Sequence, residues 1–265
     1  MDAYLTDEQM GIFERKGYLY LSEAFAPEAA IQLQERMWTE LREDFGIDRC
    51  DRRTWWQPRQ SLHRAKRDPL QCAVASDRLL GAISALLGPV RWRVPSNWGV
   101  VLVTFPNPGS GDWSLPTAGW HFDFELHRNV TSLGGLFVFT FFSVVEACGG
   151  GTLIVEGSHR LLRQFHAELS PAEQQEPHRL VRRRFLRFDP WLKALTGTGP
   201  APEDRIAYFM QETREVRGVP VRVVELTGKP GDAVLCHPLI LHVAAPNQLE
   251  VPRFMRSHRI CEETD

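Results

Sequence analysis

Along the first third of the chain, apolar residues recur at helical spacing. Between Pro27 and about Phe45, the positions Ala30, Leu33, Met37, Trp38 and Leu41 lie three or four residues apart, which puts them on one face of a helix. A second run of the same period extends from Pro69 to Leu87 and stops at Gly88 and Pro89, a residue tolerant of the left-handed turn followed by one that cannot continue a helix. Ahead of both, Thr6 and Gln9 have the spacing of a capping box, so "TDEQMGIFERKG" predicts a short helix closed by Gly17, with "YLYL" as a short strand after it.

After Asn97 the texture changes. Short β-rich runs follow one another: "WGVVLVTF", "LFVFTFFSVV", "TLIV", "VRVVEL", "DAVLC", "LILHV" and "RFMRSHRI", separated by clusters of Gly, Pro and Asn. Strands in such succession predict a β-sandwich or barrel rather than a parallel α/β sheet. No internal repeat or long low-complexity linker interrupts them. One domain over residues 1–265 is expected, with a mainly helical part at 1–95 and a β core at 96–260. The polar, loop-rich stretch at about 161–220 falls between strands, so it reads as an insertion in the β domain and a candidate lid.

With 265 residues, 43% of them hydrophobic, the chain can bury a large core. A formal charge of -2 and a pI near 6.5 supply no global field for nucleic acid or an anionic membrane. The acidic start "MDAYLTDEQMG" lacks the regions of a signal peptide, and "LFVFTFF" is far too short to span a bilayer, so a cytoplasmic location without a membrane partner is expected. The five cysteines are scattered and form no Cys-x-x-Cys pair, which argues against a disulfide framework or a structural zinc site.

The stretch "GWHFDFE" carries the first candidate chemistry. In a strand, His121 and Asp123 project to one side with Phe122 turned away, so both can reach one metal ion; an ordinary strand in which they hydrogen-bond each other is the alternative. A third ligand from a distant strand would complete two imidazoles and a carboxylate on one face of an octahedron, leaving three positions open, the arrangement that selects non-haem Fe(II). His242 and His237, both in "GDAVLCHPLILHVAAPNQLEVPRF", are the candidates. Arg253 lies eleven residues after His242, past a Pro-Asn turn. Its guanidinium offers a two-pronged fork to a carboxylate and stays charged when buried, which suits a dicarboxylic cosubstrate.

Taken in order, "WHFD", "GGTLIVEGSHR", "GDAVLCHPLILH" and "PNQLEVPR", together with the opening "LTDEQMGIFERKGYLYL", resemble the phytanoyl-CoA dioxygenase family of Fe(II)- and 2-oxoglutarate-dependent oxygenases. The resemblance implies a double-stranded β-helix, or jelly-roll, with N-terminal helices packed on one sheet. It assigns His121, Asp123 and His242 to iron and Arg253 to the far carboxylate of 2-oxoglutarate. It further implies O2 as oxidant and release of succinate and CO2, with hydroxylation of an aliphatic carbon of a small molecule as the default outcome. Desaturation, ring closure or epoxidation, and a non-catalytic metal-binding jelly-roll, are the competing readings. Four positions depart from the family pattern: Glu156 stands where a proline is usual, Val243 and Ala244 follow the distal histidine in place of Gly and Ser, and Thr104 occupies the place of a common lysine, where its hydroxyl could still reach the cosubstrate.

Around these residues, Trp120, Phe124 and His127 are candidate substrate contacts, with Arg128 on the same rim. His237 and His159 are expected to be structural. Trp55 and Trp56 lie in a polar loop and are expected to pack under the β core, with a pocket wall as the alternative. The basic run "RLVRRRFLRFD" is flanked by Glu173, Glu176, Glu203, Asp204, Glu212 and Glu215, so it reads as a solvated helix with internal ion pairs, and no nucleic-acid partner is expected. Nothing in the sequence sets the oligomeric state or the substrate.

Overall fold

The computed structural model describes residues 4–107, 112–123 and 132–263. Helix α1 (Asp7–Lys16) begins as its capping box requires: the Thr6 hydroxyl accepts from the Gln9 amide, and the Gln9 side chain accepts from the Thr6 amide. Gly17 closes it at φ 81°, and a Cβ there would lie 2.4 Å from His159 Nδ1, so both backbone and packing demand glycine. Strand β1 (Tyr18–Leu21) follows, then α2 (Pro27–Phe45), which buries Ala30, Leu33, Met37 and Leu41 along one face.

The helix expected over Pro69–Leu87 is two pieces. A 3-10 turn covers Pro69–Val74 and α3 covers Asp77–Leu87. Two residues in this stretch are N-caps, Asp68 to the Leu70 amide and Ser76 to the Leu79 amide, so two helical starts compete with one continuous run. Strand β2 (Arg59–Leu62) has no apolar alternation and lies at a sheet edge.

The remaining strands are β3 (Val101–Thr104), β4 (Gly135–Phe141), β5 (Thr152–Glu156), β6 (Arg214–Val216), β7 (Val219–Glu225), β8 (Ala233–Cys236), β9 (His242–Ala244) and β10 (Arg253–Cys261). They form a six-stranded sheet in the order β1-β8-β4-β10-β3-β2 and a four-stranded sheet in the order β6-β7-β5-β9, antiparallel at every named pairing. The architecture is an open jelly-roll sandwich, with no closed barrel among the described residues.

Both faces of the larger sheet are covered. On β4, Leu136 and Val138 join α2 and α3 in one core, while Phe137, Phe139 and Phe141 meet Leu153, Val155, Val221 and Val223 of the smaller sheet in a second. Burial on two sides is why this strand reads as an unbroken apolar run.

Residues 161–220 are more ordered than a loop-rich reading implies. They hold most of α4 (Ser158–Glu168), then α5 (Pro171–Gln174), α6 (His178–Phe185) and α7 (Pro190–Leu195). Pro171 and Pro190 sit in the first turn of a helix, where a missing amide costs nothing, so they begin helices rather than break them. Phe165, Val181, Phe185, Trp191 and Leu195 join the core between the sheets.

Glu40, 2% exposed, accepts hydrogen bonds from the amides of His63, Arg64 and Ala65 and so ties α2 to the turn that follows β2. Truncation would strand those donors, so Glu40→Ala is expected to lower stability by roughly 3 kcal/mol, read from denaturant unfolding. A loss under about 1 kcal/mol, the level of an ordinary surface change, would contradict that role. No helix among the described residues is long and apolar enough to cross a membrane, and all five cysteines are free.

Candidate active site

His242 opens β9, which pairs with β5, and its backbone forms a bridge with His121: the His121 amide donates to the His242 carbonyl at 3.0 Å and the His242 amide donates back at 2.8 Å. Cross-strand partners share a face, so the imidazoles stand 4.3 Å apart between ring centroids. Asp123, two residues on, turns to the same side. Its oxygens lie 3.6 Å from His121 Nε2 and 3.6 Å from His242 Nε2.

The tautomers follow from the outer hydrogen bonds. His121 Nδ1 is 2.6 Å from the Gly119 carbonyl and His242 Nδ1 is 3.1 Å from the Ile240 carbonyl; a carbonyl only accepts, so both Nδ1 atoms carry the proton. Both Nε2 atoms therefore present lone pairs to an anionic carboxylate, an arrangement that repels itself until a cation lies among the three groups. Their donor atoms all lie within 4.8 Å of one another. Burial chiefly keeps His121 below its ordinary pKa, so its imidazole is neutral and in its metal-binding form at neutral pH. Gly119, at φ 86°, supplies the turn that aims its carbonyl at His121.

Arg253 and Thr104 are direct partners across β10 and β3 and face the interior between the sheets. Arg253 is 4% exposed, and burial chiefly brings its pKa down to about 9. Its Nε and the Thr104 hydroxyl are both buried without a hydrogen-bond partner. An orphaned guanidinium and an orphaned hydroxyl side by side form a site shaped for a carboxylate. Asn247 fixes the adjoining turn, its side-chain amide donating to the carbonyls of Thr104 and Val251. Three residues along β10, Arg256 is on the opposite face, bonded to Gln71 and lying 4.9 Å from the Phe142 ring centroid.

A cavity of about 580 Å³ opens beside His121, lined by Trp120, by Thr117 to Gly119, and by α6 with the segment after it. Trp120 is buried and donates its indole N–H to the Pro116 carbonyl. His178, which sequence reasoning passed over, fastens α6 to the segment that carries His121 and Asp123: its Nε2 lies 3.1 Å from the Phe122 carbonyl and its ring packs edge-on to Phe122. Phe124, His127 and Arg128 lie outside the described residues. A larger cleft of about 710 Å³, between the β1 and β7 edges, has none of the three clustered residues in its lining.

The remaining candidates fall away from the cluster. His237 is buried against His159 and Phe13, where its amide donates to the Gly17 carbonyl; the pair docks α1 rather than facing His121. Trp55 packs on Trp38 and Phe105, whereas Trp56 is 66% exposed and fills no core. Glu156 accepts from Tyr18 and Lys16, so the residue that replaces a proline ties the N-terminal arm to β5. Within the basic run, Arg184 alone makes ion pairs among the described residues, to Glu173 and Glu176.

Residues 13–255 match the phytanoyl-CoA dioxygenase (PhyH) family. The chain belongs to that family. As a phytanoyl-CoA dioxygenase family member it is by class a non-haem iron and 2-oxoglutarate-dependent oxygenase. No curated protein is significantly similar to it in sequence. Among solved structures it is similar to the non-haem α-ketoglutarate-dependent carbocyclase SnoK of nogalamycin biosynthesis (15% identity, 97% of this chain and 84% of that one, TM-score 0.55). EctD from S. alaskensis is similar at 17% identity, over 98% of this chain and 78% of that one, with a TM-score of 0.53. HygX from Streptomyces hygroscopicus, solved with nickel, 2-oxoglutarate and hygromycin B, is similar at 15% identity, over 97% and 88%, with a TM-score of 0.52. At these identities the likeness is one of fold.

Proposed function

We propose that this phytanoyl-CoA dioxygenase family member oxidises an aliphatic carbon of a small molecule, with hydroxylation as the outcome and succinate and CO2 as co-products. His121, Asp123 and His242 would hold Fe(II), and the observation that carries this is the convergence of two Nε2 lone pairs on one carboxylate. Iron, when bound, supplies oxidative chemistry that no side chain can perform. The chain's own residues bind, orient and exclude water. The Arg253 guanidinium takes the far carboxylate of 2-oxoglutarate and the Thr104 hydroxyl donates to it, which satisfies two groups that are otherwise orphaned. Phe137, its ring centroid 5.0 Å from that of His242, and Phe139 wall off the His242 side of the site from water.

The helices at 161–220 act as the lid, with His178 as its latch on the ligand segment. EctD has been solved with 2-oxoglutarate and 5-hydroxyectoine, and HygX with hygromycin B, so the fold accepts polar small molecules of different sizes. The deciding experiment is anaerobic loading with Fe(II) and 2-oxoglutarate, then admission of O2 with a metabolite panel. Succinate formation that rises with one class of compound, and a product heavier by one oxygen, is expected. Metal binding without any 2-oxoglutarate turnover would make the protein a non-catalytic jelly-roll.

A further inference from the structure

Among the described residues, the cavity beside His121 is lined by four arginines, Arg179, Arg182, Arg183 and Arg187, and by no acidic residue. Arg179, Arg182 and Arg183 have the i, i+3, i+4 spacing of one helical face, and Arg187 follows just past the end of α6. Arg182 is half-buried, the others exposed, and no ion pair or hydrogen bond engages any of the four guanidiniums among the described residues. Glu173 and Glu176 are taken by Arg184, which is not in the cavity lining. Four positive charges facing one space repel each other, and His178 holds α6 against the segment that carries His121 and Asp123. A single carboxylate would neutralise one of them. A dianion that accepts several N–H bonds at once answers more of the field.

On this basis, and resting on the oxygenase reading above, we infer that the substrate carries a phosphate group, seated on Arg182 and Arg183 at the cavity mouth while its reacting carbon points to the metal side of His121. The cavity lies within the roughly 300–1,000 Å³ of small-molecule sites, so a compact phosphorylated metabolite fits whole. The same chemistry is offered by a phosphate monoester and by the diphosphate of a nucleotide.

The test is calorimetric titration of the anaerobic Fe(II) and 2-oxoglutarate complex with phenyl phosphate, benzoate and ADP at fixed ionic strength. Wild type is expected to bind phenyl phosphate at least about tenfold more tightly than benzoate, and Arg182→Gln/Arg183→Gln to lose that preference. Arg184→Gln, on the other side of the helix, should bind as wild type does. ADP tighter than phenyl phosphate assigns the group to a nucleotide, and the reverse to a monoester. Equal binding of phenyl phosphate by wild type and the double variant, or no binding by wild type, overturns the inference. The visible absorption of the Fe(II) and 2-oxoglutarate complex, recorded on the same samples, keeps the two readings apart. An intact band without phosphate binding sinks only the anion site, whereas absence of the band in wild type sinks the oxygenase assignment.

Discussion

Asp123→Ala is expected to abolish 2-oxoglutarate turnover and to leave the protein unable to retain Fe(II) through dialysis. His121→Ala should do the same. Loss of a direct ligand should exceed the roughly 10- to 100-fold penalty that follows when a group merely supporting a ligand is removed. Stability should move the other way. Asp123 is a third exposed and packs little apolar surface, and without metal its carboxylate faces two imidazole lone pairs. Metal-free Asp123→Ala is therefore expected to melt no lower than metal-free wild type, while only wild type gains stability on adding Fe(II), by the usual linkage of binding to folding. Iron content by elemental analysis and paired thermal melts check both halves. A variant that keeps iron and activity would remove Asp123 from the site.

Arg253→Ala is expected to weaken 2-oxoglutarate binding by a cost on the order of 2 to 5 kcal/mol, because truncation leaves the far carboxylate buried and unpaired. That is roughly a thirtyfold to several-thousandfold rise in Kd. Fe(II) affinity should change little, since the guanidinium belongs to β10 and the ligands to β9 and the segment before β4. Lysine should restore part of the affinity, having the charge without the planar fork. Arg256→Ala is the instructive comparison. Its side chain lies on the helix-packed face with Gln71 and Phe142, so it should lower the melting temperature and leave the Kd for 2-oxoglutarate near that of wild type. The opposite pattern would mean that the strand faces are exchanged.

How much of this was legible in the sequence depended on how local the signal was. His121 and Asp123 could be paired because a strand puts alternate residues on one side, and His242 was singled out over His237 by its place in a motif rather than by geometry. The bridge between His121 and His242, which brings two residues so distant in sequence together, is visible only in the fold. Arg253 was readable from its position after the Pro-Asn turn; that Thr104 stands directly opposite is a matter of register. The helices of the 161–220 region were obscured because Pro171 and Pro190 look like breakers until their place in a first turn is known. The facing of the α6 arginines was not legible for a related reason. Acidic neighbours in sequence suggested internal ion pairs, and Glu173 and Glu176 both go to Arg184. Which face of a helix looks into a cavity is set by tertiary anchors such as His178 on Phe122.

The most direct test of the metal and cosubstrate assignment is an anaerobic titration of the metal-free protein with Fe(II) and 2-oxoglutarate, followed by visible absorption. A charge-transfer band that needs both additions, saturates at one equivalent of each in wild type, is absent from Asp123→Ala and requires far more 2-oxoglutarate in Arg253→Ala is the predicted result. Saturation with Fe(II) and no band at any concentration of 2-oxoglutarate, or an equal band in Asp123→Ala, would contradict it.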